Sequence, residues 1–207
     1  MNIDRVSELV GSGVSRETLD RLAAYQAALL RWSKSINLVS KSSLRDAGVR
    51  HFEDSLQVMA MAPEGDRWVD LGSGGGFPGL VVALVSAETR PSRHVTLIES
   101  DSRKAEFLRH VSRETSVDVT VLNMRIEEAP AQHAHVVSAR ALADLDLLLE
   151  YCSRHLSTHG QAVLLKGAKA SEEVIDSRKR WSYDVEMRPS RTDPTGVLLK
   201  IRGLQRV

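Results

Sequence analysis

The chain is poor in cysteine: Cys152 stands alone among 207 residues. A single thiol excludes an internal disulfide and points to a reducing compartment, most simply the cytoplasm. Long apolar runs are missing as well. The best of them, residues 80–87, is sized for a strand or a helix and falls far short of the ~18 residues that cross a membrane. The opening Met1-Asn2-Ile3-Asp4-Arg5 has no basic stretch followed by an apolar one, so no secretory leader is expected. No internal repeat or low-complexity tract is present. An excess of charge of one sign is also lacking, since the formal net charge is only +1. The total therefore does not announce a nucleic-acid binder.

What is there describes a globular protein. Apolar residues make up 42% and charged residues 27% of the chain, enough to bury a core. The distribution of charge says more than its sum. Between Arg21 and His51, the basic residues Arg21, Arg31, Lys34, Lys41, Arg45 and Arg50 face one acid, Asp46. From Arg178 to Arg206, eight basic residues stand against Asp184, Glu186 and Asp193. Two basic ends around a more acidic middle can form one phosphate-attracting face, or simply two solvated ones.

The first segment reads as helical. Ser15 is a candidate N-cap, Glu17 falls in the first turn, and Leu19, Leu22, Ala23, Leu29 and Leu30 recur at helical spacing. A second helix is expected over 44–61, and Pro63-Glu64-Gly65-Asp66 then breaks the chain. From Trp68 the pattern alternates. Apolar runs at 68–71, 95–98, 117–122, 135–138 and 162–165 are separated by helix-length segments at 79–86, 102–114 and 142–155. Such alternation predicts βαβ units and a parallel sheet. The end differs, with strands at 181–187 and 197–201 joined by a turn through Arg191-Thr192-Asp193-Pro194-Thr195-Gly196. A closing antiparallel hairpin on a parallel sheet suits a class I, Rossmann-like methyltransferase better than a dinucleotide-binding sheet. The expected fold is α/β, with a seven-stranded sheet. Residues 1–65 form a helical extension packed on a core at 66–207, one compact unit.

The chemistry concentrates in Val69-Asp70-Leu71-Gly72-Ser73-Gly74-Gly75-Gly76-Phe77-Pro78-Gly79. A strand ends here and the chain must turn sharply; Gly72, Gly74 and Gly76 permit positive φ and close approach of backbone to a ligand. Pro78 fits an early helical position, where a missing N–H costs nothing. The loop alone is compatible with a structural turn, with NAD or with S-adenosylmethionine. Asp70, two residues before the first glycine, would repel a phosphate but suits a cationic or amino-bearing ligand. Glu99, at the end of the next strand, can accept from both hydroxyls of a ribose. Ile126 and Glu127, after the strand that follows, are placed to pack on adenine and to accept its amino hydrogen bond. They are equally readable as part of an acidic helix cap.

At this point the residues resemble a known family. Arg31-Trp32-Ser33-Lys34-Ser35-Ile36-Asn37-Leu38-Val39-Ser40, Arg50-His51-Phe52-Glu53-Asp54-Ser55, the 69–79 loop, Ser138-Ala139-Arg140-Ala141 and Leu165-Lys166-Gly167 together resemble the bacterial 16S ribosomal RNA guanine-N7 methyltransferases, also called glucose-inhibited division protein B. The resemblance covers nearly the whole chain. It includes helical Asn-Leu-x-Ser and His-x-x-Asp-Ser signatures ahead of the glycine loop. It implies S-adenosylmethionine as cofactor, S-adenosylhomocysteine as product, no metal, and cofactor contacts at Gly72, Phe77, Ile126, Glu127 and Arg140. Relatives often carry Pro or Ala at position 75, so Gly75 is expected to loosen the loop slightly. At position 139 many have Ser, and Ala139 offers no hydroxyl.

The resemblance implies 16S rRNA as substrate, within the small ribosomal subunit or its precursor, for a monomer that needs no membrane. Guanine N7 carries a free lone pair, so methyl transfer needs no general base and rests on positioning. Arg140 and Lys166 are candidates for organising the pocket, although each could equally form an ordinary ion pair or sit solvated. His51, Asp54 and Ser55 either close the pocket or hold the N-terminal helices together in a buried network. Phe77, Trp32 and Phe52 could stack on a flipped base, with Trp32 better read as core. Three other functions compete: a methyltransferase of another substrate, an NAD-dependent oxidoreductase, and a non-catalytic ribosome-assembly RNA-binding protein.

Overall fold

A computed structural model describes residues 14–39 and 47–207, with the side chains of 47–49 excepted. Lys41, Arg45 and Asp46 of the basic stretch, Ser40, and the first residues of the helix expected from 44 lie outside the described residues.

Among the described residues, two helices precede the sheet. Helix α1 (Arg16–Trp32) starts where expected, the Ser15 hydroxyl accepting from Thr18 N at 3.3 Å with Glu17 in the first turn. Its buried face is Leu22, Tyr25, Ala28 and Leu29. Leu30, grouped with that face from sequence, is instead 47% exposed, because one residue beyond Leu29 is a 100° rotation away from the core. The chain leaves the helix at Ser33, so Asn37 and Leu38 lie in a turn segment rather than on a helix. Helix α2 (Ala47–Met61) carries His51, Phe52, Asp54 and Ser55.

The remainder alternates: β1 (Arg67–Leu71), α3 (Gly79–Thr89), β2 (His94–Ile98), α4 (Ser102–Thr115), β3 (Thr120–Leu122), β4 (Ala134–Arg140), α5 (Leu145–His155), β5 (Leu156–Lys166), α6 (Ala170–Ser177), β6 (Trp181–Pro189) and β7 (Val197–Arg206). The seven strands lie in the order β3-β2-β1-β4-β5-β7-β6. Strands β1 to β5 pair in parallel, and β7 runs antiparallel to both β5 and β6. That order puts the carboxyl ends of five strands along one edge, where loops and helix amino ends meet.

Several boundaries shift from the sequence expectation. Helix α5 begins at Leu145, not 142, because the Asp144 carboxylate accepts from Leu147 N and fixes the start. Strand β5 starts at Leu156 and reaches eleven residues, with a register shift opposite Ala134/Val136. Strand β3 is only three residues long. Helix α6 was not anticipated: eight residues with buried Ala170 and Val174 are too few to show a clear period.

Each face of the sheet has its own apolar layer. Trp68, Val95, Leu97, Val136, Val163 and Leu198 point to one side, where α1, α2, α3 and α4 contribute Leu22, Tyr25, Phe52, Leu56, Leu80, Leu84 and Phe107. Val69, Leu71, Ile98, Val137, Leu164 and Leu199 point to the other, under Leu145, Leu148, Leu149 and Cys152 of α5 and Val174 of α6. Cys152 is fully buried, and burial pushes its thiol up to about 12, far from nucleophilic use. Among the described residues, no helix is long and apolar enough to cross a membrane.

Tyr25 connects the N-terminal helices to the glycine loop. Its hydroxyl donates to the Gly75 carbonyl at 2.5 Å, and its ring lies 5.1 Å from Phe52 and 5.3 Å from Phe77. Tyr25→Phe leaves that buried carbonyl unpaired, so unfolding free energy should drop by ~1–3 kcal/mol. Denaturant titration checks this, and unchanged stability would mean that the bond contributes nothing.

Candidate active site

A cavity of about 900 Å³ opens at the carboxyl edge of the parallel strands. One wall is the loop after β1, from Gly72 to Gly75 with Phe77. A second is His51 and Asp54 of α2, with Leu38 and Val39. A third comes from Arg140 and Ala141 after β4 and from Leu165 to Lys169 after β5, and the hairpin turn adds Ser190, Asp193 and Gly196. Segments far apart in sequence thus face one space. Of the residues singled out from sequence, His51, Asp54, Gly72, Gly74, Phe77, Arg140 and Lys166 line it, whereas Asp70, Gly76, Glu99, Ile126 and Glu127 do not.

Arg140 organises the wall opposite the loop. Its Nη1 lies 2.5 Å from His51 Nδ1 and 3.7 Å from Asp54 Oδ2, and its guanidinium carbon is 5.1 Å from the centre of the Phe77 ring. A guanidinium can only donate, so Nδ1 must accept and the imidazole proton sits on Nε2. That Nε2 is buried and has no hydrogen-bond partner among the described residues. Burial first, then Arg140 and Arg50, lowers the His51 pKa to about 4, so the ring is neutral at physiological pH. Asp54 is pushed upward by burial, against its hydrogen bond with Thr192 and the pull of Arg140 and Arg50. Asp54 Oδ1 also accepts from the hydroxyls of Thr192 and of Ser190, and Arg50 pairs with Asp193. Helix α2 is thereby tied to the hairpin turn across the cavity mouth. Ser55 plays no part in that cluster, its hydroxyl donating to His51 O within the helix.

Asp70 departs from its expected role. It is 1% exposed on the core side of the loop, where Oδ1 accepts from the Ser138 hydroxyl at 2.7 Å and Oδ2 accepts from Gly79 N at 3.2 Å. Ser138 in turn accepts from the Trp68 indole at 2.9 Å. The carboxylate therefore ties β1 to β4 and to the start of α3 rather than meeting a ligand's cation. Burial raises its pKa to about 6, against the hydrogen bonds that favour the anion. A carboxyl whose folded pKa is raised binds its proton more tightly when folded. Its contribution is full below the unfolded value near 4 and is lost as pH rises through about 6. Asp70→Asn carries no such loss, so its stability relative to the parent should improve by roughly 2 kcal/mol between pH 4.5 and 7.5. A relative stability independent of pH would show that Asp70 does not titrate there.

Glu99 is also engaged by backbone. Oε2 accepts from Gly74 N and Oε1 from Asp101 N, both at 2.8 Å, so the carboxylate braces the glycine loop against the start of α4. Each oxygen retains a lone pair for another donor. Gly75, expected to loosen the loop, does the opposite: a Cβ there would stand 2.9 Å from Leu38 O, and one at Gly76 would stand 2.7 Å from the Tyr25 hydroxyl. The loop is tight because the N-terminal segments pack directly on it. Phe52, 1% exposed and edge-on to Phe77, belongs to this core, as does Trp32 against Phe107 and His110.

Lys166 is not a free cation. Its ammonium donates to Ala143 O at 2.6 Å and pairs with Glu173 at 2.7 Å, while Glu173 accepts from Leu145 N. Sequence reasoning missed Glu173 because α6 went unrecognised, and missed Tyr25; Ser138 was named only within the family motif, with its bond to Asp70 unforeseen because no local pattern announces a tertiary partner. It also passed over Lys104 and Lys169, which line the cavity. No group of three or more His, Cys, Asp or Glu suited to hold a metal occurs among the described residues.

Comparison with known proteins places this geometry. A family profile described as rRNA small subunit methyltransferase G, GidB, matches residues 18–192. The chain is 50% identical over 194 residues to the ribosomal RNA small subunit methyltransferase G of Ruegeria sp. (strain TM1040), covering 94% of this chain and 95% of the relative. It is 52% identical over 199 residues to the protein of that name from Rhodospirillum centenum, covering 93% and 90%. Among solved structures, a methyltransferase from Geobacter sulfurreducens aligns with a TM-score of 0.58 at 17% identity over 86% of this chain and 87% of its own. The structure of M. jannaschii TYW2 in complex with AdoMet aligns at 0.59 and 14% identity, over 84% and 80%. Those structural likenesses establish the Rossmann-like methyltransferase fold, and the sequence match goes further: this chain belongs to the GidB family, rRNA small subunit methyltransferase G.

Proposed function

We propose that the chain methylates N7 of a guanine in 16S rRNA, with S-adenosylmethionine as methyl donor. The observation that supports this best is the shared cavity. The glycine loop, the His51/Asp54 face of α2 and Arg140 after β4 all line it, although each belongs to a different part of the chain. In this reading the substrate is the small ribosomal subunit or its precursor, and the protein acts as a cytoplasmic monomer. The described residues before 66 serve as a helical extension on a core at 66–207, and supply one wall of the site.

The residues fit the cofactor. On the open side of Gly74, a Cβ would meet nothing nearer than Gly72 O at 3.7 Å, which leaves room for a ligand against the backbone. Gly72, Gly74 and Phe77 would hold the amino-acid end, with Arg140, held by His51 and Asp54, meeting its carboxylate through its remaining N–H groups. Glu99 would accept from ribose hydroxyls, and Ile126 and Glu127 would hold adenine. Gly76 and Asp70 act from behind, by shaping and bracing the loop. S-adenosylmethionine supplies a sulfonium-bound methyl, which the guanine N7 lone pair can take without prior deprotonation.

The chain's own work is therefore positioning. Neutral His51 holds the Arg140 guanidinium in place, and Asp54 fixes α2 to the hairpin turn over the cavity. Lys166 and Glu173 anchor the segment after β4. Lys104 and Lys169 supply positive charge at the wall, suited to an RNA phosphate. Incubating the protein with labelled S-adenosylmethionine and small subunits, then digesting the RNA, should yield labelled N7-methylguanosine. Label on another base or atom, or none on RNA, would overturn the reading.

A further inference from the structure

His155 is the last residue of α5 and is fully buried, outside the cavity described above. Its Nε2 lies 3.0 Å from Ile126 O, and because a carbonyl only accepts, the proton sits on Nε2. The other nitrogen, Nδ1, is buried without a hydrogen-bond partner among the described residues. Burial lowers the pKa of the ring, with Arg154 adding to that and the Ile126 bond opposing it, so the ring stays neutral. Next to it, Arg154 donates to Ala129 O from Nε at 3.1 Å and from Nη2 at 2.9 Å. Two residues at one end of α5 thus grip the turn 126–129 from behind.

For packing alone, histidine is a poor choice here. An aliphatic side chain would fill the position without burying an unpaired nitrogen. What histidine adds is one directed N–H to the backbone of the turn. Ile126 and Ala129 pack into the apolar core, but the turn's backbone has few other hydrogen bonds: β3 before it is three residues long, and the turn's own bonds are the local ones from Glu128 and Ala129 to Arg125 and Ile126.

We infer that His155, supported by Arg154, is a positioning residue for the adenine end of the cofactor site, setting the turn that carries Ile126 and Glu127. This rests on the reading that Ile126 and Glu127 hold adenine. Neither His155 nor Arg154 lines the cavity, so the effect falls on cofactor affinity and not on methyl transfer.

The test uses calorimetry with S-adenosylhomocysteine, steady-state kinetics and thermal melts on the full chain. His155→Leu should weaken affinity ~10-fold, the loss of about one hydrogen bond, and raise KM for S-adenosylmethionine with little change in kcat. Its melting temperature should change little, since removal of the unpaired nitrogen offsets the lost bond to Ile126 O, which still accepts from Ala129 N. His155→Gln, whose amide can reach as far as Nε2, should recover most of the affinity. Arg154→Met, at an exposed position, should weaken affinity by a smaller factor and covers the case in which His155→Leu does not fold. Ile126→Ala separates the two layers. If it binds like the parent, the adenine reading fails; if it binds weakly while His155→Leu and Arg154→Met bind like the parent, the positioning role is overturned. Loss of stability and affinity together in His155→Leu, without rescue by glutamine, would also overturn it.

Discussion

Gly74→Val should weaken S-adenosylhomocysteine binding by ~100-fold or more while the protein still folds, because a ligand pressed against loop backbone cannot share that space with an isopropyl group. Gly74 has φ +54°, and a Cβ built on it meets no protein atom closer than Gly72 O at 3.7 Å. The valine would therefore point into the cavity without striking the core. Its cost to stability is the left-handed backbone, ~1–2 kcal/mol. Gly76→Val is the internal control. There the Cβ would stand 2.5 Å from Leu80 Cδ1 and 2.7 Å from the Tyr25 hydroxyl, so this variant should lose stability far more. Calorimetry and melting curves on both proteins give the comparison. Normal cofactor affinity in Gly74→Val would show that the ligand does not approach the loop there.

Arg140→Met should lower kcat/KM by ~10²–10³, the range seen when one preorganised donor is removed from a site that works by electrostatic positioning. Arg140 touches three things at once: His51, Asp54 and the face of Phe77. Without it, His51, whose pKa burial lowers most, loses one of the two cations that lower it further, and its titration should move upward, readable by NMR. Asp54 loses a cation that favours its charged form, so its pKa should rise further from the usual carboxylate value. Lys166→Met provides the contrast. Its ammonium is already taken by Ala143 O and Glu173, so its loss should disturb the 141–145 segment and cost less activity than Arg140. Equal losses from both would mean that Lys166 reaches substrate.

The parallel sheet and closing hairpin were legible in the alternation of short apolar runs with helix-length segments, because strand and helix periods are local properties. The contents of the cavity were legible where a residue type permits few roles. Gly74 needs positive φ; Arg140 came from the family resemblance, its residue type alone leaving an ordinary ion pair equally open. Where a residue has several roles, sequence could not choose between them. Asp70 was read as facing a cation on the strength of its spacing from the first glycine. Its partners, Ser138 at 68 residues' remove and Gly79 N, depend on how β4 packs beside β1. Gly75 was read as slack, yet the segment at Leu38 lies directly on it, a contact no local pattern announces. The brace from His155 to Ile126 O was invisible for the same reason. A lone histidine at a helix end carries no sequence signal for the backbone carbonyl it meets.

A cavity that brings a methyl donor to guanine N7 of small-subunit rRNA must leave its mark on that RNA. The most direct measurement compares 16S rRNA from a bacterium carrying the gene with RNA from its deletion strain, by mass mapping and N7-specific cleavage. One guanine should carry an N7 methyl in the parent, lose it in the deletion strain, and regain it with the parent gene but not with Gly74→Val. An unchanged modification map in the deletion strain would contradict the account.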